Sequence, residues 1–178
     1  MSEIEQLESR VVYRNRWMNV REDAICRMDG SLGVYGVVEK KDFSVIAAVD
    51  GDEVYMVEQY RYPVQARYWE LPQGTWDLDV DDPLALARAE LREETGVVAA
   101  SMTHVGRLYL AYGFCTQAYN IFIARDLQQH APQHEPEEQG LLSKRFTLSE
   151  VDHMIRTGEI LDATTVAAFG LMRMKGLL

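Results

Sequence analysis

Apolar and β-branched runs recur along the first 60 residues at about 11 to 14, 18 to 28, 34 to 39, 43 to 50 and 53 to 60, each bounded by polar punctuation. Runs of that length between turn residues predict strands. Asp29-Gly30 and Asp50-Gly51 are the clearest turn signals, and the second, set between VIAAV and VYMV, predicts a tight hairpin. From Asp82 the period lengthens to that of a helix. Asp82 suits the N-cap and Pro83 the first helical position, Leu84, Ala87 and Leu91 recur on one face, and Gly96 supplies the stop. Strands are predicted again at 103 to 111 and 117 to 124. The polar stretch 128–139, QQHAPQHEPEEQ, reads as a surface loop. A short strand near 141 to 147 and helices near 148 to 157 and 162 to 175 close the chain, with Thr147 or Ser149 capping the first of these helices. A β-rich body with one central helix and a helical tail predicts an α+β fold, a mixed α/β/α sandwich with a small N-terminal β-sheet appendage. Residues 1–40 are assigned to that appendage and 41–178 to the main domain.

Composition narrows the function. At 178 residues and 47% hydrophobic content the chain can bury one sizeable core. It has no run of about 18 apolar residues that would span a membrane. Its start, with Ser2, Glu3, Glu5 and Glu8, lacks the basic then apolar layout of a signal peptide, so a cytoplasmic protein without a membrane partner is expected. Cys26 and Cys115 form no C-x-x-C pair, and both are expected to be buried thiols. A net charge of -10 argues against long nucleic acid, which is gripped by clustered Lys and Arg. A small phosphate compound stays open if a metal ion and a few placed arginines offset the acidity locally.

Candidate chemistry gathers on the central helix. Glu90, Glu93 and Glu94 stand at i, i+3 and i+4 and share one face. Glu90 and Glu94 repel by roughly 0.2–0.5 kcal/mol in an isolated helix, and no Lys or Arg lies three or four residues from any of the three. The bland interpretation is a solvated acidic face. The sharper one is a hard divalent cation: magnesium, with manganese as a substitute, takes a few carboxylates and keeps waters and substrate oxygens in its shell.

The surrounding residues favour the second. Leu71-Pro72-Gln73-Gly74, followed by Ala89-Glu90-Leu91-Arg92-Glu93-Glu94-Thr95-Gly96-Val97, resembles the signature box of the Nudix hydrolase family: a glycine, five residues, a glutamate, seven residues, then R-E-U-x-E-E-x-G-U with U apolar. The second half matches at every specified position after the arginine. Ala89 occupies the arginine slot, and the first half is one residue longer than the pattern, with Asp81 in the place of the upstream glutamate. In the family that arginine orients a box glutamate. The resemblance implies a Nudix-like fold in which Glu90 and Glu94 are the chief metal ligands, Glu93 is a ligand or orients water, and the backbone carbonyl of Gln73 before Gly74 is a further ligand.

Outside the box, Val57-Glu58-Gln59-Tyr60-Arg61-Tyr62-Pro63-Val64, Trp69-Glu70-Leu71-Pro72 and the tail from Gly158 to Asp162-Ala163-Thr164 look like the ADP-ribose and nucleotide-sugar pyrophosphatase branch. That resemblance implies a homodimer built on the early strands and a small nucleotide substrate. It implies an aromatic, here Trp17, stacked on the base, with core or dimer packing as its alternative. Arg61 is the candidate for a substrate phosphate, its alternative being a surface salt bridge. Glu70 and Gly74 complete the substrate-binding set. The resemblance also implies a further glutamate from the polar loop, Glu137 or Glu138, as general base or metal-bridging group. Where the branch often carries Ser-Pro-Gly-Phe this chain reads Ala111-Tyr112-Gly113-Phe114, which keeps dinucleoside polyphosphates in play, while Ala89 and the irregular first half of the box keep a nucleotide-binding regulator open. His130 and His134 lack cysteine partners and read as loop residues, and Cys115 has no histidine and acid constellation around it.

Overall fold

A computed structural model describes residues 3–75, 82–132 and 140–178. They form two compact units, one of residues 1–42 with 108–119, the other of 43–107 with 120–178.

The first unit is built on an antiparallel sheet in the order β1 (Ile4–Arg14), β2 (Asn19–Arg27), β3 (Leu32–Glu39). Only the last four residues of β1 fall in the run expected at 11 to 14, because the whole strand is exposed and so shows no in-and-out alternation to be read. Bulges between Gln6 and Glu8 and between Val11 and Tyr13 interrupt its register. A downstream segment joins this unit: the amide of Val38 donates to Phe114 O at 2.8 Å and that of Thr116 to Val38 O at 2.9 Å, while Tyr35 donates its hydroxyl to Gly113 O at 3.0 Å. Gly113 and Phe114, in the stretch read above as a departure from a substrate motif, are therefore bound to β3. Cys115 is buried, but Cys26 is only half-buried, against expectation, since its cross-strand neighbours Glu5 and Leu32 are themselves exposed.

In the second unit the strand order is β10 (Leu142–Thr147), β5 (Glu53–Arg61), β4 (Phe43–Asp50), β9 (Ala118–Gln129), β8 (Val97–Tyr109), with β6 (Ala66–Glu70) paired to β5 and the two-residue β7 (Gln73–Gly74) paired to β4. Gly51, at φ 62°, makes the predicted hairpin turn between β4 and β5. Strand β4 is the centre: residues 44–49 are all buried, so both of its faces are covered. On one face α1 (Pro83–Thr95) packs Ala87 and Leu91 against Ile46, Ala48, Phe122 and Ala124. Each large apolar side chain so buried stabilises by about 1.5–3 kcal/mol. Helix α3 (Ala163–Met174) also contacts β4 and buries Ala168, Phe169 and Met172. Helix α2 (Leu148–Thr157) spans the predicted residues, and Thr147 is its cap, closing a capping box with Glu150.

Two further boundaries and two short strands differ from expectation. β8 begins at Val97 rather than near 103, because Gly96 at φ 74° turns the chain straight from helix into a strand that buries Val97 and Ala99. β9 runs through Gln129, into the stretch read as loop, and His130 donates its amide to Gly96 O at 2.9 Å. β6 and β7 carry no clear alternation, and both exist by pairing with neighbouring strands.

Candidate active site

Helix α1 starts as the sequence predicts, Asp82 accepting from the amide of Ala85 at 2.9 Å with Pro83 behind it. Its register then points Glu90 and Glu94 inward. Glu90 is 8% and Glu94 2% exposed, while Glu93 is half-buried. Ionised carboxylates are rarely buried to this degree unless they are paired or bind metal.

The strand opposite is Gln73–Gly74. A Cβ on Gly74 would fall onto the Glu90 carboxyl group, so the box glycine is what lets that carboxylate lie against the backbone. Gln73 donates its amide to Glu94 Oε2 at 3.1 Å. The residues before it are held as firmly: the amide of Leu71 donates to Thr165 Oγ1 at 2.9 Å, and Pro72 O accepts from the amide of Ile46 at 2.9 Å. Ser44, opposite Gly74 in the β4 register, donates its hydroxyl to Pro83 O at 2.9 Å and ties β4 to the start of α1.

Next to this strand lies a second buried carboxylate system. Glu70, 3% exposed, is paired with Arg61 and accepts from Gln59 Nε2 at 3.0 Å. Burial pushes its carboxyl above the ordinary glutamate range, the Arg61 guanidinium pulls it part of the way back, and the charge of Asp162 pushes the same way as burial. Arg61 thus engages a buried acid rather than a surface one, and its side chain stays 41% exposed, open to a further anion.

The structure brings Glu90, Glu94, Gln73 and Gly74 together, with Glu93 beside them on α1. Trp17 belongs to the other unit, where it is 56% exposed with Arg16 over its ring at 4.7 Å, beside Asn15, Lys40 and Lys41 in a cavity of about 260 Å³. The core alternative for Trp17 is thereby removed. Asp81, His134, Glu137 and Glu138 lie outside the described residues. Sequence reasoning passed over Gln59, Asp162 and Thr165 as site residues. Asp162 and the residues after it were legible as a helix start and as part of the resemblance to the branch, but nothing local tied them to residues 71–74.

Does this set suit a divalent ion? Among the described residues no three His, Cys, Asp or Glu side chains form a self-sufficient cation cage. Magnesium does not ask for one: it is held by one or two carboxylates and completes its octahedron with water and substrate phosphate. Two buried carboxylates one helical turn apart, seated against a glycine and the adjoining backbone, are a donor set of that open kind.

Comparison with known proteins agrees with this geometry. Residues 39–169 match the NUDIX domain model and residues 4–38 the nucleoside diphosphate sugar hydrolase N-terminal domain. The chain is 28% identical to an ADP-ribose pyrophosphatase of Mycobacterium tuberculosis over 93% of this chain and 81% of that protein. It is also 28% identical to an ADP-ribose pyrophosphatase of Bacillus subtilis, over 74% of this chain and 71% of that one. A crystal structure of an ADP compounds hydrolase superposes with a TM-score of 0.84 at 21% identity, covering 100% of this chain and 98% of the other, which shows a shared fold.

Proposed function

The chain belongs to the Nudix family and is a pyrophosphohydrolase of nucleoside diphosphate derivatives, and from that premise we propose that its substrate is ADP-ribose or a nucleotide sugar, cleaved with magnesium or manganese at the diphosphate bridge. The observation that carries this reading is the burial of Glu90 and Glu94 against Gly74.

Glu90, Glu94 and the Gln73 carbonyl are assigned to the cation, with Glu93 completing its shell or orienting water. When bound, the ion would polarise a phosphoryl oxygen and lower the pKa of a bound water. The protein's own part is positioning and proton transfer. Gly74 lets the Glu90 carboxylate lie against the strand, and the exposed edge of Arg61 pairs with a phosphate oxygen. Glu137 or Glu138 takes the proton of the attacking water. The new P–O bond forms as the bridging P–O bond breaks, leaving a nucleoside monophosphate and a phosphorylated second product.

In the N-terminal unit, Trp17 is assigned to the base, and the adjacent Lys40 and Lys41 suit an anionic ligand in an otherwise acidic protein. The exposed Val12, Leu32, Val34 and Tyr35 of the three-stranded sheet support a homodimer. No described helix is long and apolar enough to cross a membrane, and a cytoplasmic site of action is proposed with the rest.

The test is a magnesium-supplemented panel of ADP-ribose, nucleotide sugars and dinucleoside polyphosphates. The expected preference is for the first two, with Glu94→Gln losing roughly a hundredfold to a thousandfold in kcat, the scale of removing one group that meets transition-state charge. Tight nucleotide binding without turnover would replace the enzyme by a regulator, and full activity in Glu94→Gln would remove the helix from the chemistry.

A further inference from the structure

We propose that Asp162 and Thr165, at the start of α3, are positioning residues that fix the backbone of residues 71–74 against α1, so that Gln73 and Glu94 can serve one cation. The inference rests on the assignment of Glu94 and the Gln73 carbonyl to that cation, made above.

Asp162 does more than cap a helix. A cap needs one side-chain oxygen for one or two amides. Asp162 Oδ2 meets three donors: the amide of Thr165 at 2.8 Å, its hydroxyl at 2.7 Å and Gln73 Nε2 at 3.2 Å. Because the Thr165 hydroxyl gives its proton to Asp162, its lone pair is aimed at the amide of Leu71, 2.9 Å away. Leu71 and Thr165 are both fully buried, so no water stands ready to replace this bond.

Each backbone group of the segment thus answers to a different element. The Leu71 amide is held by α3, the Pro72 carbonyl by β4 and the Gln73 amide by α1 through Glu94. Pro72 has no amide proton of its own, so the strand cannot shift register and recover these partners. Loss of the α3 anchor frees the end of the strand that approaches Glu94 and slackens the cation's seat, while β4 and α1 still hold the fold.

Binding of Mn2+ alone to the full chain, followed by the electron paramagnetic resonance of the free ion, tests this without turnover. Thr165→Val should weaken Mn2+ binding about tenfold, as removal of outer supports of a metal site does, and Thr165→Ser should stay within about twofold of the parent. Gln73→Met, which keeps the backbone and cuts only the link to Asp162, should weaken binding in the same direction. Asp162→Ala combined with Gln73→Met should bind no worse than the weaker single variant, since both break one chain of contacts. Melting curves on each variant separate a slack site from an unfolded one. If Thr165→Val and Gln73→Met bind Mn2+ like the parent while Glu94→Gln does not, the positioning role is overturned and the cation assignment survives. If Glu94→Gln also binds like the parent, the cation assignment falls, and this inference with it.

Discussion

The three-stranded sheet and the unit that carries Gly74 treat large apolar side chains in opposite ways. In the sheet, Leu32, Val34 and Val12 are 73%, 64% and 50% exposed. Asp23 is buried there beside Arg21, and the Ser9 hydroxyl and Arg21 hold it below the ordinary aspartate range, as Ser31 does for Asp29. In the second unit the apolar residues of β4 are buried and so are the acids Glu70, Glu90 and Glu94, with Glu70 pushed upward by burial. Buried polar groups and exposed apolar ones are the two departures that carry information about a protein surface. The exposed apolar residues of the first unit fit the proposed dimer face, and the buried acids of the second fit the proposed site.

The contrast breaks most sharply at Gly74. Gly74→Ala should cost about a hundredfold in kcat/KM, the scale of displacing a reacting group by an ångström, because the new methyl group displaces the Glu90 carboxyl. Circular dichroism should show the fold retained, and near-parental activity would mean that the close approach of Glu90 is irrelevant.

A smaller effect is expected in the sheet. Trp17→Ala should raise KM roughly tenfold with kcat unchanged, as loss of a base-stacking aromatic does, and its melting temperature should hardly move because the side chain is already exposed. Light scattering at micromolar concentration should return a dimer for parent and variant alike; a monomer, or an unaltered KM, would leave the exposed face without a role.

The smallest effect concerns Glu70, whose folded carboxyl titrates above its ordinary value. The folded state therefore holds that proton more tightly than the unfolded chain. Stability from this group falls as pH rises from the ordinary glutamate value through the raised one, and returns on acidification. Asp23, Asp29 and Glu150, all lowered, have the opposite sign and lose stability as pH falls. Glu70→Gln should remove the downward slope, so that the melting temperature of variant minus parent climbs with pH across that window. A flat difference would show that Arg61 fully offsets the burial.

What could be read from the chain alone was whatever depends on neighbours in sequence. Asp82, Pro83 and Gly96 bounded α1 because caps and stops act within a turn, and the start of α2 was narrowed to Thr147 or Ser149, of which Thr147 is the cap. Asp50-Gly51 marked a hairpin because only certain residues accept its backbone. The spacing of Glu90, Glu93 and Glu94 put three acids on one face, and with Gly74 and Gly96 it carried the resemblance to a family. That they would be buried did not follow, since the same spacing describes a solvated helix.

Burial, and the support around it, came from tertiary contact. Leu71 meets Thr165 across 94 positions and Gln73 meets Asp162 across 89, and residues 111–116 reach β3 from more than 70 positions away. Local propensity has no term for partners so distant. The sequence supplied the acids and the glycine that makes room for one of them. Only the packed sheet and helices determined which acids lose their water and which backbone amides they face, because desolvation depends on everything that comes to lie around a group and not on what precedes or follows it in the chain.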